Sequence, residues 1–279
     1  MTPPESSARG RAVRGTVAGL PFVRRGSGPP VVHLPGVGPG RVRPWAWDRA
    51  LLHHDTASMA RQREVWTLGR RIGLAPGTTL PDLADDVARA ITEIGRGPID
   101  VVGVSTGGSI ALQLAVDHAA LVRRLALVSS AHRLGDTGRE AQRRTAAHLR
   151  AGDPSRAAAA LLAQTTTGAR ASSLLDRLGR VGHSFVVGDR HDDLVAVLEA
   201  EDAFDVGARL GDVVAPTLVV AGGEDGFYPL DLVARTVSGL PHASLVVHRR
   251  SGHLSLGSRG VSREVLDHLT RASSSPDGR

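Results

Sequence analysis

A three-layer α/β fold, with a mostly parallel sheet covered by helices on both faces, is the architecture this sequence predicts. Three observations carry it. Short β-branched apolar runs alternate with helical patterns from Val31 to Ser130, and such alternation calls for parallel strands joined by crossover helices. Glycine-bearing loops follow the ends of those runs, as in Pro35-Gly36-Val37-Gly38-Pro39-Gly40 and Gly103-Val104-Ser105-Thr106-Gly107. A helix-rich stretch with no convincing strand, from about His132 to Asp212, then interrupts the alternation before it resumes. A crossover needs only about a dozen residues, so this stretch reads as an inserted helical lid.

The elements follow in order. Arg11–Val17 and Leu20–Arg24, separated by Ala18-Gly19, predict an opening hairpin. Val31–Leu34 is a short buried strand. Pro44–Arg61 has a helical pattern, with Trp45, Trp47, Leu51 and Leu52 as anchors, and Arg63–Leu68 is the next strand. Pro81–Ile91 opens with acidic residues that suit a helix N-terminus, and Leu83, Val87, Ile91 and Ile94 recur at helical spacing. Ile99–Val104 is a buried strand leading through Ser105 into an Ala/Leu-rich helix, and Leu125–Ser130 is another strand. Helices are expected over Asp136–Leu149, Pro154–Leu162, Ala171–Arg180 and Asp192–Phe204. Ala215–Ala221 is a strand, Leu230–Ser238 a helix, Ala243–Arg249 a strand and Val261–Arg271 the closing helix. The expected organisation is a discontinuous core of residues 11–132 and 213–272, a lid of residues 133–212, and disordered tails at 1–10 and 273–279.

Composition narrows the class. The 279 residues are 41% hydrophobic and 22% charged, as in soluble globular proteins, and no apolar run approaches the roughly 20 residues of a membrane span. The first residues lack an apolar signal region, so a cytoplasmic location is expected. There is no cysteine, which excludes disulfides, thiolate metal sites and a cysteine nucleophile. The net charge is +6, yet all 34 basic residues are arginine, they are spread along the chain, and aromatics make up only 3%. Little is available to stack on bases, and no nucleic-acid partner is expected. His53-His54-Asp55 and His191-Asp192-Asp193 do not make a metal site, because adjacent helical side chains do not face one point. The Gly36–Gly40 loop lacks both phosphate-binding glycine signatures.

Three polar residues each follow the C-terminal end of a predicted parallel strand: Ser105, Asp225 and His253. Open α/β sheets bind ligands along that edge. A serine on a sharp strand-to-helix turn, flanked by Gly103 and Gly107, stands clear of the backbone, and the order Ser, Asp, His is that of a nucleophile-elbow hydrolase. With Gly103-Val104-Ser105-Thr106-Gly107, the Gly222-x-x-Asp225-x-x-x-Pro229 turn, the Gly252-His253 pair and the lid position, the chain resembles the α/β-hydrolase fold superfamily from roughly Ala12 to Arg271.

The resemblance implies a fold, a set of roles and a reaction class. Ser105 would be the nucleophile, His253 its general base and then acid, and Asp225 the group that orients the imidazole. Glu224, next to Asp225, is the competing acid, disfavoured by the Gly-x-x-Asp spacing. The oxyanion hole would use the N–H of Thr106 and one from the loop after Val31–Leu34. Family members often carry His-Gly-x there. Aligning His33 with that histidine would make Pro35 the donor, and proline has no N–H; aligning Pro35-Gly36 makes Val37 the donor, with Gly36 and Gly38 allowing close approach. His33 is then a loop-orienting or core histidine. The implied activity is hydrolysis of a carboxylic ester, thioester or lactone of a small to medium, largely apolar molecule, through an acyl-enzyme, with no cofactor and no metal. C–C bond hydrolysis of ring-cleavage products, acyl transfer and perhydrolysis use the same triad, and a non-catalytic ligand-binding receptor is the alternative of another class. The serine at the elbow argues against dehalogenation and epoxide hydrolysis. The oligomeric state is not legible.

Overall fold

Val13–Val17 (β1) and Leu20–Arg25 (β2) pair antiparallel, with Val17 opposite Leu20 and the two-residue loop Ala18-Gly19 at positive φ (47° and 80°) between them. Both φ signs match the mirror-image turn that suits the twist of a hairpin. The computed structural model describes residues 12–37, 56–163, 165, 177, 183–188, 190–253 and 259–271. β2 also pairs antiparallel with Glu64–Leu68 (β4). The remaining strands are parallel: Pro30–Leu34 (β3), Ile99–Val104 (β5), Val122–Val128 (β6), Thr217–Gly222 (β7) and Ala243–His248 (β8). The sheet order is β1-β2-β4-β3-β5-β6-β7-β8. Chain progression reverses between β3 and β5, so their carboxyl ends border the crevice where such sheets hold ligands.

Helices cover the sheet as the periodicity predicts. Leu80–Ile94 (α1) starts at Thr79 with a reciprocal capping box: Thr79 Oγ1 accepts from the Asp82 N–H, and Asp82 accepts from the Thr79 N–H at 2.8 Å. Its buried face is Leu83, Ala84, Val87 and Ile91. Thr106–Asp117 (α2) is mostly apolar and buried from Thr106 to Val116, as befits a helix enclosed by neighbours. Leu230–Gly239 (α7, in chain order below) and Arg259–Thr270 (α8) flank the far half of the sheet.

Between β6 and β7 the chain forms Asp136–Arg150 (α3), Pro154–Ala163 (α4), the single turn His183–Val186 (α5) and His191–Asp202 (α6). Ala146, Leu149, Ala157, Ala158, Leu194 and Leu198 share an apolar cluster of their own. Ala196, Val197 and Ala200 of α6 pack into the main core instead. Helix α6 thus has two apolar faces and ties these helices to the sheet.

Several boundaries differ from expectation. β6 starts at Val122 rather than Leu125: Arg124 is buried with Nη2 on the Arg271 carbonyl, and the exposed Arg123 reaches back to Asp100. Ser129, expected within the strand, has φ 49° and ends it. Helix α6 stops at Asp202, and an isolated bridge joins Arg133 to Asp205 where no extended pairing was expected. A six-residue 3₁₀ turn, Gly207–Asp212, was not foreseen. Of the Pro44–Arg61 helix, the described end is a 3₁₀ turn, Met59–Arg61; Trp45, Trp47, Leu51 and Leu52 lie outside the described residues. So do the Ala171–Arg180 helix, apart from Arg177, and both tails. Among the described residues, no helix is long and apolar enough to cross a membrane.

Two buried polar groups stand on the core strands, one paired and one not. At the start of β5, Asp100 is fully buried; its Oδ2 accepts from Arg63 Nη1 at 3.1 Å and from Arg123. Arg63 and Arg123 also donate to the Leu269 carbonyl, and Arg124 to that of Arg271. Arginines thereby neutralise the open carbonyls at the C-terminal end of α8, where positive charge suits the helix dipole.

On β3, His33 is 1% exposed, and its ring nitrogens have no hydrogen-bond partner among the described residues. Burial lowers its pKa from 6.5 to about 4, because the charged imidazolium would lose its hydration. The unfolded chain takes up a proton near pH 6.5 and the folded chain does not. His33 therefore costs no stability well above pH 6.5, and stability falls as pH drops through 6.5 towards 4, by up to about 3 kcal/mol. Urea titrations at pH 7.5 and 4.5 check this: wild type should lose about 2 kcal/mol more than His33→Leu between the two pH values. Equal losses would show that His33 is not the responsible group.

Candidate active site

Ser105 occupies the turn from β5 into α2 with φ 52° and ψ −125°. A non-glycine residue in that region costs about 1–3 kcal/mol and persists only where the surroundings fix it. Here they do so through backbone contact. A Cβ added to Gly107 would lie 2.0 Å from the Leu34 carbonyl oxygen, and one on Gly103 would lie 2.4 Å from the Gly107 carbonyl oxygen. These glycines let strand, elbow and helix approach more closely than side chains permit. The Ser105 N–H donates to the Val128 carbonyl at 2.9 Å, and the Ser105 carbonyl accepts from the Gly108 and Ser109 N–H groups.

The three residues singled out by sequence meet here. His253 Nε2 lies 2.9 Å from Ser105 Oγ, and His253 Nδ1 lies 2.8 Å from Asp225 Oδ2. A carboxylate only accepts, which assigns the imidazole proton to Nδ1 and leaves Nε2 to accept from the serine hydroxyl. Asp225 Oδ1 accepts from the Phe227 and Tyr228 N–H groups at 2.8 and 3.1 Å. That fixes the carboxylate within the turn after β7, where it is 5% exposed. Glu224, the competing acid, is exposed, and its N–H donates to the Ser251 carbonyl. The His253 N–H donates to the Thr165 carbonyl, its carbonyl accepts from Ser129 Oγ, and its ring packs on Phe227 with centroids 4.7 Å apart.

The loop after β3 closes the other side. A Cβ built on Gly36 would sit 3.1 Å from Ser105 Cβ, and Val37, partly buried, packs against both the main core and the cluster of α3, α4 and α6. Gly38 lies outside the described residues, as do His53, His54 and Asp55. His191 and Asp193 turn to separate partners: the His191 ring pairs with the Gly188 carbonyl, and Asp193 accepts from the Gly73 and Leu74 N–H groups.

Sequence reasoning missed one arrangement behind the elbow. Glu201 of α6 is fully buried and accepts four hydrogen bonds. Thr106 Oγ1 at 2.6 Å and Gln142 Nε2 at 2.7 Å donate to Oε2, while Ser109 Oγ at 2.8 Å and Tyr228 Oη at 2.9 Å donate to Oε1. Burial and the adjacent carboxylate push the Tyr228 phenol well above its ordinary pKa, so it stays a donor. Arg70, just past β4, is partly buried; its Nη1 donates to the Gly36 carbonyl at 3.3 Å. Desolvation lowers its pKa, while Glu201 and Asp193 pull it up. One signal was available: Glu201 continues the stripe of Leu194 and Leu198 at helical spacing, an acid where an apolar residue is expected.

A serine, imidazole and carboxylate in line at the carboxyl edge of a parallel sheet define a nucleophile-elbow enzyme architecture. The sequence profile of the alpha/beta hydrolase family matches residues 31–262, and the chain belongs to that family. It is 31% identical over 206 residues to RutD of Variovorax paradoxus, provisionally named a carbamate hydrolase, covering 72% of this chain and 76% of that one. It is 35% identical over 105 residues to a 2-hydroxy-6-oxononadienedioate/2-hydroxy-6-oxononatrienedioate hydrolase of Cupriavidus pinatubonensis, a match spanning only 36% of each chain. The crystal structure of the enol-lactonase from Burkholderia xenovorans superposes with a TM-score of 0.76 at 21% identity, covering 93% of this chain and all of that one.

The close backbone approach gives a stability test. Gly107→Ala places a methyl group against the Leu34 carbonyl and should lower the unfolding free energy by about 1–3 kcal/mol or more, read from urea midpoints. A midpoint equal to wild type would mean that the elbow has room it is not expected to have.

Proposed function

We propose that this protein is a serine hydrolase that cleaves a carboxylic ester, thioester or lactone through an acyl-enzyme. The observation that carries the reading is the unbroken hydrogen-bonded series from Ser105 through His253 to Asp225. Ser105 Oγ attacks the carbonyl carbon as its proton passes to His253 Nε2, since a neutral hydroxyl is a poor nucleophile without an adjacent base. Asp225 holds the tautomer and stabilises the imidazolium. The tetrahedral oxyanion is received by the N–H groups of Thr106 and Val37, because Pro35 has none to give. Collapse expels the alcohol, thiol or ring oxygen with the proton returned by His253. A water activated by the same histidine then releases the acid. The chemistry is complete with these side chains and needs no metal or cofactor. A small, largely apolar acyl compound is the substrate class.

A second reading, hydrolysis of a C–C bond beside a ketone, is favoured by the identity shared with the Cupriavidus hydrolase. It uses the same triad on a keto-dienoate.

A fluorophosphonate probe should label wild type and leave Ser105→Ala unlabelled. In a panel of p-nitrophenyl esters, lactones, thioesters, carbamates and dienoate ketones, at least one class should be turned over by wild type and not by Ser105→Ala. Turnover confined to the ketones selects the second reading. A folded wild type that neither labels nor turns over any class supports a receptor and sinks both. Asp225→Asn should slow turnover by about 10⁴-fold, whereas Glu224→Gln should stay close to wild type; the reverse would move the acid to Glu224.

A further inference from the structure

We infer that Arg70 and Glu201 are positioning residues that together set the two donors of the oxyanion hole, an inference resting on the hydrolase reading above. The Gly36 carbonyl and the Val37 N–H belong to one planar peptide unit. The only cis peptide among the described residues is Gly97-Pro98, so in the Gly36–Val37 unit these groups point in opposite directions. Arg70 Nη1 holds the carbonyl from one side, which aims the Val37 N–H away from the guanidinium. Rotation of this peptide would exchange the donor for a carbonyl oxygen, and Gly36, lying against Ser105, has no side chain to resist it. Arg70 supplies that resistance. A cationic donor on the carbonyl also polarises the peptide and strengthens its N–H.

Glu201 does the same for the other donor. Thr106 carries the first oxyanion N–H, and its side chain is bonded to Glu201 Oε2. Ser109, one turn on, and Tyr228, whose N–H holds Asp225, are bonded to Oε1. The carboxylate thus locks elbow helix and acid turn to α6 and Gln142 of α3. Arg70 thus holds the peptide that carries one donor and Glu201 the residue that carries the other.

Arg70→Met, Thr106→Val and Glu201→Gln test this, with the p-nitrophenyl ester that wild type turns over best. Arg70→Met and Thr106→Val should lower kcat by about 10–100-fold with KM within about twofold. The affinity for an alkylboronic acid, whose tetrahedral adduct occupies the hole, should fall in step with kcat/KM. Arg70→Lys, which keeps a cationic donor, should recover most of the loss. Glu201→Gln keeps the shape but replaces one acceptor oxygen by an amide that cannot accept, which releases two of the four donors that Glu201 holds, and should also lower kcat at constant KM. A purely structural role would instead lower Tm and leave kcat of the folded fraction unchanged. If Arg70→Met fails to fold, Thr106→Val and Glu201→Gln carry the test. Folded variants with wild-type kcat and boronate affinity overturn this inference alone. A wild type that the fluorophosphonate does not label overturns the hydrolase reading, and this inference with it.

Discussion

The contact on which the site depends is between two backbones. Leu34 ends β3 and Gly107 opens α2, and their separation admits no Cβ between them. That approach brings the loop carrying Gly36 and Val37 beside Ser105, and it resists relaxation of Ser105 from its positive φ. Strand order makes the contact possible. Because β3 and β5 are neighbours at the reversal point of the sheet, the loops after them leave in different directions and open a crevice between them. A residue strained as Ser105 is persists only inside a structure that over-determines it. Here β3, β5, β6 and α2 all contribute, down to the Val128 carbonyl that takes the Ser105 N–H.

Two buried carboxylates bracket this central strand and helix, and they solve the same problem differently. Asp100 sits at the amino end of β5 and is matched by Arg63 and Arg123, which also hold the end of α8. Glu201 sits behind the carboxyl end and is matched mostly by neutral donors. An isolated buried charge is very costly, and a fully hydrogen-bonded one much less so. Such a group adds little net stability, but losing any one partner leaves it under-satisfied. The arrangement therefore favours a single geometry of elbow, acid turn and α6 over alternatives of similar packing.

How much of this was legible follows from where the information resides. The strand and helix pattern of the core is local, because a buried parallel strand is a run of apolar residues wherever it occurs. Ser105, Asp225 and His253 were legible because each sits a fixed step past such a run. Glu201 and Arg70 were not, since their partners lie far away in sequence: Thr106 is 95 positions from Glu201, and Gly36 is 34 from Arg70. The start of β6 was missed for a related reason. Arg123 and Arg124 read as loop until Asp100 and the carbonyls of α8 are in place.

Those arginines also change the meaning of the composition. A chain with 34 basic residues, all of them arginine, reads as a compositional bias spread evenly over a surface. Inside the fold, several of them do what lysine could not. Arg63 reaches Asp100 with one nitrogen and the Leu269 carbonyl with another, and Nη2 of Arg123 reaches both of the same acceptors. A planar fork with five donors can bridge a carboxylate and a helix end at once, whereas an ammonium is a compact and strongly hydrated point charge. Guanidinium is also the cation that loses least on leaving water, which suits Arg70 on the Gly36 carbonyl. Whatever filled the sequence with arginine, the fold has come to use its geometry at the amino end of β5, so substitution by lysine at the buried Arg63 is not conservative.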